Sequence, residues 1–279
     1  MRISPRVTQG VAVAVLAAAT ALTVAVLVYL VLFVLRKGLP GVTWAFLSTR
    51  SSDMGRQGGI LQTLVGTVIL PAVAIALALP LGVGTSVYLA EYTRESRVTA
   101  VIRFGTDCLA GIPSIIFGLF GFIFFVITLR WGWSVLSGGF TLAIMVLPTI
   151  IRTSEEAIRS VPHSYREVSL SLGATRWETV LRVVLPNAAP GIVTGIMLSV
   201  GRAVGETAAV IYTAGSALNI PASLFEPVRT MAVHFYILAR EGISTDKAYA
   251  TAAVLVISIL AINLATYWAM NRFLARRAR

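Results

Sequence analysis

The sequence predicts an all-α, polytopic membrane protein with six transmembrane helices, and three observations carry that prediction. The 279 residues are 57% hydrophobic and only 13% charged, with a mean hydropathy of +0.83, whereas soluble domains are about 25% charged. Uncharged apolar runs recur, and about 20 such residues in a helix cross roughly 30 Å of hydrocarbon. Arg and Lys also favour alternate connections, the bias by which a membrane protein is oriented.

The first span is Val11 to Leu35, 25 residues without a charge after Arg2 and Arg6. A secretory signal has an apolar core of only about 7–15 residues, so an uncleaved anchor is expected. The second span runs from about Ile60 to Ala90 and contains Pro71 and Pro80. The third covers about Asp107 to Leu129, with Pro113 near its start; Asp107 reads as its cap or, alternatively, as a residue of a path through the membrane. The fourth begins near Gly139 and continues helically through Arg152 to Ser160, where Pro162 stops it. The fifth goes from about Ala188 to Ala214, and the sixth from about Ala248 to Met270. Prolines within spans are tolerated kinks. Trp131 and Trp133 fall at an interface, as belt aromatics do. The stretch Phe225 to Glu241 reads as a short external helix. The chain therefore divides into an anchor span with an external loop (1–59) and a core (60–279) that carries a structured loop at 162–186.

Of the 23 Arg and Lys residues, 13 fall on the side of the termini, 8 on the other side, and Arg152 and Arg202 inside spans. The richer side is cytoplasmic by the positive-inside rule, which places both termini there. A net charge of +11 would suggest nucleic acid in a soluble chain; here it expresses orientation. The single Cys108 excludes an internal disulfide. His163 and His234 lie far apart and make no metal site, and no nucleophile or carboxylate cluster supplies a membrane-embedded enzyme. A G-x-x-x-x-G-K-[ST] phosphate loop is missing, and Gly201 to Gly205 lacks the lysine and lies within a span, so the chain does not hydrolyse ATP by itself.

The loop between the fourth and fifth spans, "SYREVSLSLGATRWETVLRVVLP" (164–186), encodes a helical hairpin. Ser164 with Glu167, and Thr175 with Glu178, have capping-box spacing. Gly173 suits the left-handed turn that ends the first helix, and Pro186 is expected to close the second. Tyr165, Val168 and Leu172 share one face of the first helix; Trp177, Val180, Leu181 and Val184 share one face of the second. Periodicity alone leaves two readings open, a hairpin on the lipid surface or one docked on a partner.

Charges inside the spans are the second signal. An arginine near a helix centre costs about 2.5–3.5 kcal/mol on insertion scales. Arg202 has Glu206 one turn on, the spacing of an i,i+4 pair. Gly191, Gly195 and Ser199 form a small-residue stripe for close helix approach. Arg152, Glu155 and Glu156 repeat the arrangement on the preceding span. Such groups serve either as internal ion pairs that specify packing or gating, or as guanidiniums lining an anion path.

Glu167-Val168-Ser169, three residues, Gly173, nine residues, Val183, one residue, Leu185-Pro186 resembles the E-A-A-x3-G-x9-I-x-L-P loop of ABC-importer permeases. It departs from that pattern at Val168, Ser169 and Val183. The resemblance implies a type I, MetI-like permease whose loop couples to a cytoplasmic ATPase, here through Ser164, Glu167, Gly173, Ala174, Trp177, Leu185 and Pro186. "GIPSIIFGLFG" (111–121), Leu147 to Thr175, "GRAVGETAAVIYTAG" (201–215) and "NLATYWAMNR" (263–272) are similar to the PstA family of phosphate-importer permeases. That likeness runs from about Gln62 to the C terminus. It implies that Arg152, Glu155, Arg202 and Glu206 act in phosphate translocation or gating, and that the chain binds no cofactor. ATP and Mg would be held by a PstB-like ATPase dimer, beside a PstC-like second permease and a PstS-like extracytoplasmic phosphate-binding protein. The implied location is a bacterial inner membrane. The alternatives are a sulfate or molybdate permease, the sister phosphate permease PstC, or an anion transporter driven by an ion gradient.

Overall fold

The computed structural model describes residues 5–93 and 96–277; Arg2, Arg94 and Arg279, which enter the charge bias, lie outside them. Helix α1 spans Pro5–Gly38, and α2 (Trp44–Ser48) is a short turn capped by the Thr43 hydroxyl. A two-residue hairpin, β1 (Ser51–Ser52) against β2 (Gln57–Gly58), leads into α3 (Leu61–Val87), which ends in a π-helical turn at Tyr88–Tyr92. Then come α4 (Arg97–Ala110), α5 (Ser114–Gly121) extended by a π-helical stretch Phe122–Thr128, and α6 (Val135–Arg159). The hairpin contributes α7 (His163–Ser171) and α8 (Arg176–Thr179), and α8 runs through a π turn at Val180–Val184 into α9 (Leu185–Val204). The chain closes with α10 (Ala208–Thr213), α11 (Met231–Arg240) and α12 (Thr245–Arg277).

Among the described residues, five helices are long and apolar enough to cross a membrane, and a sixth crossing results if α4 and α5 count as one bent span. The third predicted span needs correction. α4 and α5 meet at 100° across Gly111, Ile112 and Pro113, so Asp107 lies in the last turn of α4 and caps nothing on α5. Pro113 is the residue from which α5 starts; its missing N–H is harmless there and would break a ladder inside one continuous helix.

The fifth span is corrected at both ends. Pro186 does not stop a hairpin helix. The backbone widens into the π turn just before it, and Asn187 Nδ2 donates to the Val183 carbonyl (2.6 Å). A wider turn accommodates a proline that cannot donate to the carbonyl four residues back. The result is one continuous helical run from Arg176 to Val204, so the second arm of the hairpin is the end of a span. At its far end that run stops at Val204, ten residues short of the expected Ala214, and α10 restarts after Gly205, Glu206 and Thr207.

The core is built on α3, α6 and α9. Leu70, Ala74 and Ala78 of α3 pack with Leu142, Met145, Val146 and Ile150 of α6, all nearly free of solvent. Ser86 Oγ donates across the pair to the Ile151 carbonyl (2.8 Å). The small-residue stripe works as expected: a Cβ at Gly195 would collide with the Thr153 hydroxyl, and one at Gly191 would stand 2.5 Å from Ala157 Cβ. These contacts set an antiparallel register between α6 and α9. α1 is different. Its apolar stretch is wholly exposed, and only its end meets the bundle, where Gly38 lies against Tyr249 and Ala253 of α12 and Lys37 Nζ sits 4.9 Å over Phe33 and 5.1 Å over Tyr249.

At the end away from the hairpin, the expected short helix forms as α11. It buries Met231, Val233 and Leu238 and holds His234 beneath Gly55 of the strand turn. Arg229 donates to the Ser216 carbonyl (2.7 Å) and to His234 Nδ1 (3.4 Å). An arginine only donates, so that ring nitrogen accepts and His234 is neutral. Burial, with Arg229 and Lys247 nearby, lowers its pKa to about 4.

Candidate functional site

The first group of candidate residues sits where α6 reaches the hairpin end of the bundle. Glu155, whose side chain is 12% exposed, accepts from Arg103 of α4 (Nη2, 3.0 Å; Nε, 3.1 Å) and from Arg159 one turn on (3.0 Å). Arg152, 65% exposed, reaches Asp107 of α4 at 3.1 Å and Glu156 at 3.6 Å. These residues line a cavity of about 230 Å³ with Leu89, Thr106 and Ile151. Of the expected pairings within α6, Arg152 makes the one with Glu156 and not the one with Glu155; both Arg152 and Glu155 add a partner on α4. Among the described residues the cluster holds three guanidiniums and three carboxylates.

The two halves of this network differ in chemistry. Glu155 is largely buried and holds two guanidiniums in place, which makes it the organising anion. Arg152 and its two carboxylate partners are exposed, and exposed pairs contribute only about 0–1 kcal/mol. A doubly charged anion entering the cavity can therefore take Arg152 from Asp107 at little cost, with a fork matched to two of its oxygens.

Arg202 and Glu206 are not brought together either. α9 ends at Val204 with Gly205 as its cap, so Glu206 falls beyond the helix and its Oε1 accepts from the Ala209 N–H of α10 (3.1 Å). An i,i+4 pair requires helix through both positions. Arg202 is left half-buried in the last turn of α9, and no described residue forms an ion pair or hydrogen bond with it. The carbonyl end of the helix offers only partial negative charge there. With Gly195 on Thr153 and Gly191 on Ala157, residue 202 stands opposite about residue 146. Arg202 is then about 9 Å beyond Arg152 along the bundle at 1.5 Å per residue.

The hairpin places its residues in two ways. α7 begins at His163 with Pro162 at the cap position and no side-chain cap. Ser164 is thus already inside the helix, and the expected box with Glu167 does not form. Gly173 has φ +84°, and the turn closes with Gly173 N–H on the Leu170 carbonyl (3.0 Å) and Ala174 N–H on that of Ser169 (3.2 Å). The second box is made: Thr175 N–H donates to Glu178 Oε2 (2.9 Å) and Glu178 N–H to Thr175 Oγ1 (3.2 Å). Val180 and Val184 are buried in the bundle with Ile158 and Ala188, and Leu185 and Pro186 open α9. By contrast Tyr165, Val168, Leu170, Leu172 and Trp177 are exposed, Leu172 by 83%. α7 buries no residue in this chain. Of the exposed side chains, Tyr165, Val168 and Leu172 line one cavity together, an exposed apolar face of the kind found at interaction surfaces.

The sequence reading misses Arg103 and takes Asp107 as a cap or path residue without its partner, because both sit on a separate element; their i,i+4 spacing on an amphipathic α4 is the signal for the pair. Glu91, which holds Arg166 of α7 at 2.6 Å, carries no local signal at all.

A family model described as "binding-protein-dependent transport system inner membrane component" matches residues 78–279. The chain is 36% identical over 279 residues to the probable ABC transporter permease protein YqgI of Bacillus subtilis (strain 168), covering 94% of this chain and 95% of that one. It is 39% identical over 225 residues to the phosphate transport system permease protein PstA 1 of Mycobacterium tuberculosis (strain CDC 1551 / Oshkosh), covering 80% and 73%. Among solved structures it superposes with a TM-score of 0.67 on a bacterial ABC transporter involved in the import of the acidic polysaccharide alginate, at 15% identity over 96% of this chain and 99% of that one. An inward-facing conformation of the MetNI methionine ABC transporter gives 0.61 at 21% identity, over 77% and 94%. At those identities the structural likeness speaks to the fold.

Proposed function

The chain belongs to the family of binding-protein-dependent transport system inner membrane components, and from that membership we propose that it is the permease subunit of an ATP-driven phosphate importer. Its fold is that of MetI-like importer permeases, and relatives named as phosphate transport permeases are 30–39% identical to it over most of its length. It supplies the path and the coupling. A PstC-like second permease completes the channel, a PstB-like ATPase dimer binds ATP and Mg, and a PstS-like protein outside the membrane delivers phosphate. Both termini and the hairpin face the cytoplasm, where the apolar face of α7, with Ser164, Glu167, Gly173, Ala174 and Trp177, meets the ATPase.

The observation that carries the anion reading is Arg202: a half-buried guanidinium inside a spanning helix, without a counter-ion among the described residues. A charge held this way is costly, and a passing oxyanion supplies the missing partner. Arg152 then forms a second station about 9 Å closer to the cytoplasm, released from Asp107 as the anion arrives. Glu155 and Glu206 set the frame, the first by fixing Arg103 and Arg159, the second by capping α10.

The test is ATP-driven uptake of radiolabelled phosphate by the reconstituted complex of all four components. Arg202→Gln abolishes uptake while the ATPase still co-purifies. Normal uptake in that variant, or wild-type uptake of sulfate or molybdate in preference to phosphate, overturns the reading.

A further inference from the structure

α7 leaves its apolar side chains exposed, yet it is not loosely attached. Arg166 turns inward and is 13% exposed. Its Nη2 and Nε close as a fork on Glu91, at 2.6 and 3.0 Å from Oε1 and 3.2 Å from Oε2. The same guanidinium donates to the carbonyls of Val161 (2.6 Å) and Ile158 (2.9 Å). Glu91 lies in the π turn that ends α3 and is 9% exposed. Ile158 lies in the last turn of α6 and Val161 just beyond its C-terminal end, where the helix dipole favours a cation. Besides these bonds, a hydrogen bond between the hydroxyls of Ser169 and Thr179 (2.9 Å) ties α7 to the second arm.

We propose that Arg166 and Glu91 form the joint through which movement of α7 enters the bundle. The proposal rests on the reading that α7 docks on an ATPase. α7 is joined to α6 through the three residues 160–162, and the directional bonds of Arg166 stiffen that junction and add α3 to it; charge-assisted forks are shorter and roughly twice as strong as neutral hydrogen bonds. Arg166 holds α3 and α6 at once, so a displacement of α7 carries both helix ends together. α6 carries Glu155 in turn, and its bonds to Arg103 pass the displacement to α4 and the cavity between them.

The joint is tested in the reconstituted complex by measuring phosphate taken up per ATP hydrolysed. Glu91→Gln keeps the shape and removes the charge; uptake per ATP falls about tenfold, the scale of one charged hydrogen bond, with ATPase binding and hydrolysis retained. Adding Arg166→Gln to it lowers the ratio no further, because one linkage is lost only once. Arg166→Lys, which keeps the charge and loses the fork, carries the test if Glu91→Gln is not recovered with the ATPase. An unchanged ratio in the assembled variants, or losses that multiply, overturns the proposal. Spin labels at Ser171 of α7 and Leu81 of α3 give a second readout. ATP binding leaves their separation unchanged in the wild type and shifts it in Glu91→Gln; a wild-type shift overturns the joint. This measurement needs no transported ion, so it decides the joint even where uptake shows a substrate other than phosphate.

Discussion

Single residues carry opposite burdens at the two ends of the molecule. At the end away from the hairpin His234 is buried and neutral, its pKa lowered to about 4 by desolvation and by Arg229 and Lys247. The unfolded chain binds a proton there from about pH 6.5 downward, and the folded chain does not until about pH 4. Stability contributed at this site is complete above pH 6.5 and declines as pH falls toward 4, by an amount on the order of 3 kcal/mol. Thermal melts of the purified complex between pH 7 and 4 should show that decline, and His234→Gln should flatten it. At the hairpin end Arg152 and Glu155 were legible in the sequence as charges inside a span, but their partners were not. Pairing across 45 residues (Arg152 with Asp107) or 52 (Arg103 with Glu155) depends on the bend at Gly111 to Pro113, which no local spacing announces. Ser164 failed as a cap for a simpler reason: Pro162 fits the position before a helix start and displaced it by two residues.

At the scale of elements, apolar length located the spans, and small residues located the α6–α9 seam. Breaks were less legible. A proline reads equally as a stop, as at Pro162, a start, as at Pro113, or a residue absorbed by a widened turn, as at Pro186, and only packing decides among them. The hairpin turn was unambiguous, because Gly173 adopts φ +84° in open space. A side chain there meets no neighbour, so the cost is confined to backbone strain, about 1–2 kcal/mol for a β-branched residue. Gly173→Val should therefore misplace α7 and lower uptake per ATP while the complex still assembles, whereas Gly173→Asn should be tolerated. Equal uptake in both variants would remove the turn from the coupling path.

The whole molecule is an incomplete object taken alone. α7 offers a bare apolar face, and Arg202 lacks a counter-ion among the described residues. Each is a feature that an assembly would complete, which agrees with a chain that belongs to a multi-component importer family. The orientation of that assembly has a test without mutation. Cys108, on α4 at the hairpin end, is exposed. A membrane-impermeant maleimide should modify it in inside-out vesicles and leave it untouched in right-side-out ones, as read by mass spectrometry of this chain; the reverse pattern would invert the topology.

The widened turn at Val180–Val184 also sets an azimuth. In an α-helix each residue adds about 100° of rotation, and a π turn alters that count for everything beyond it. The compass direction in which Arg202 points, relative to Trp177 at the start of the same rod, is thus fixed by one turn lying 18 residues before the arginine. Tightening that turn to regular α geometry would swing the guanidinium around the axis, so the rod works as a crank as well as a strut.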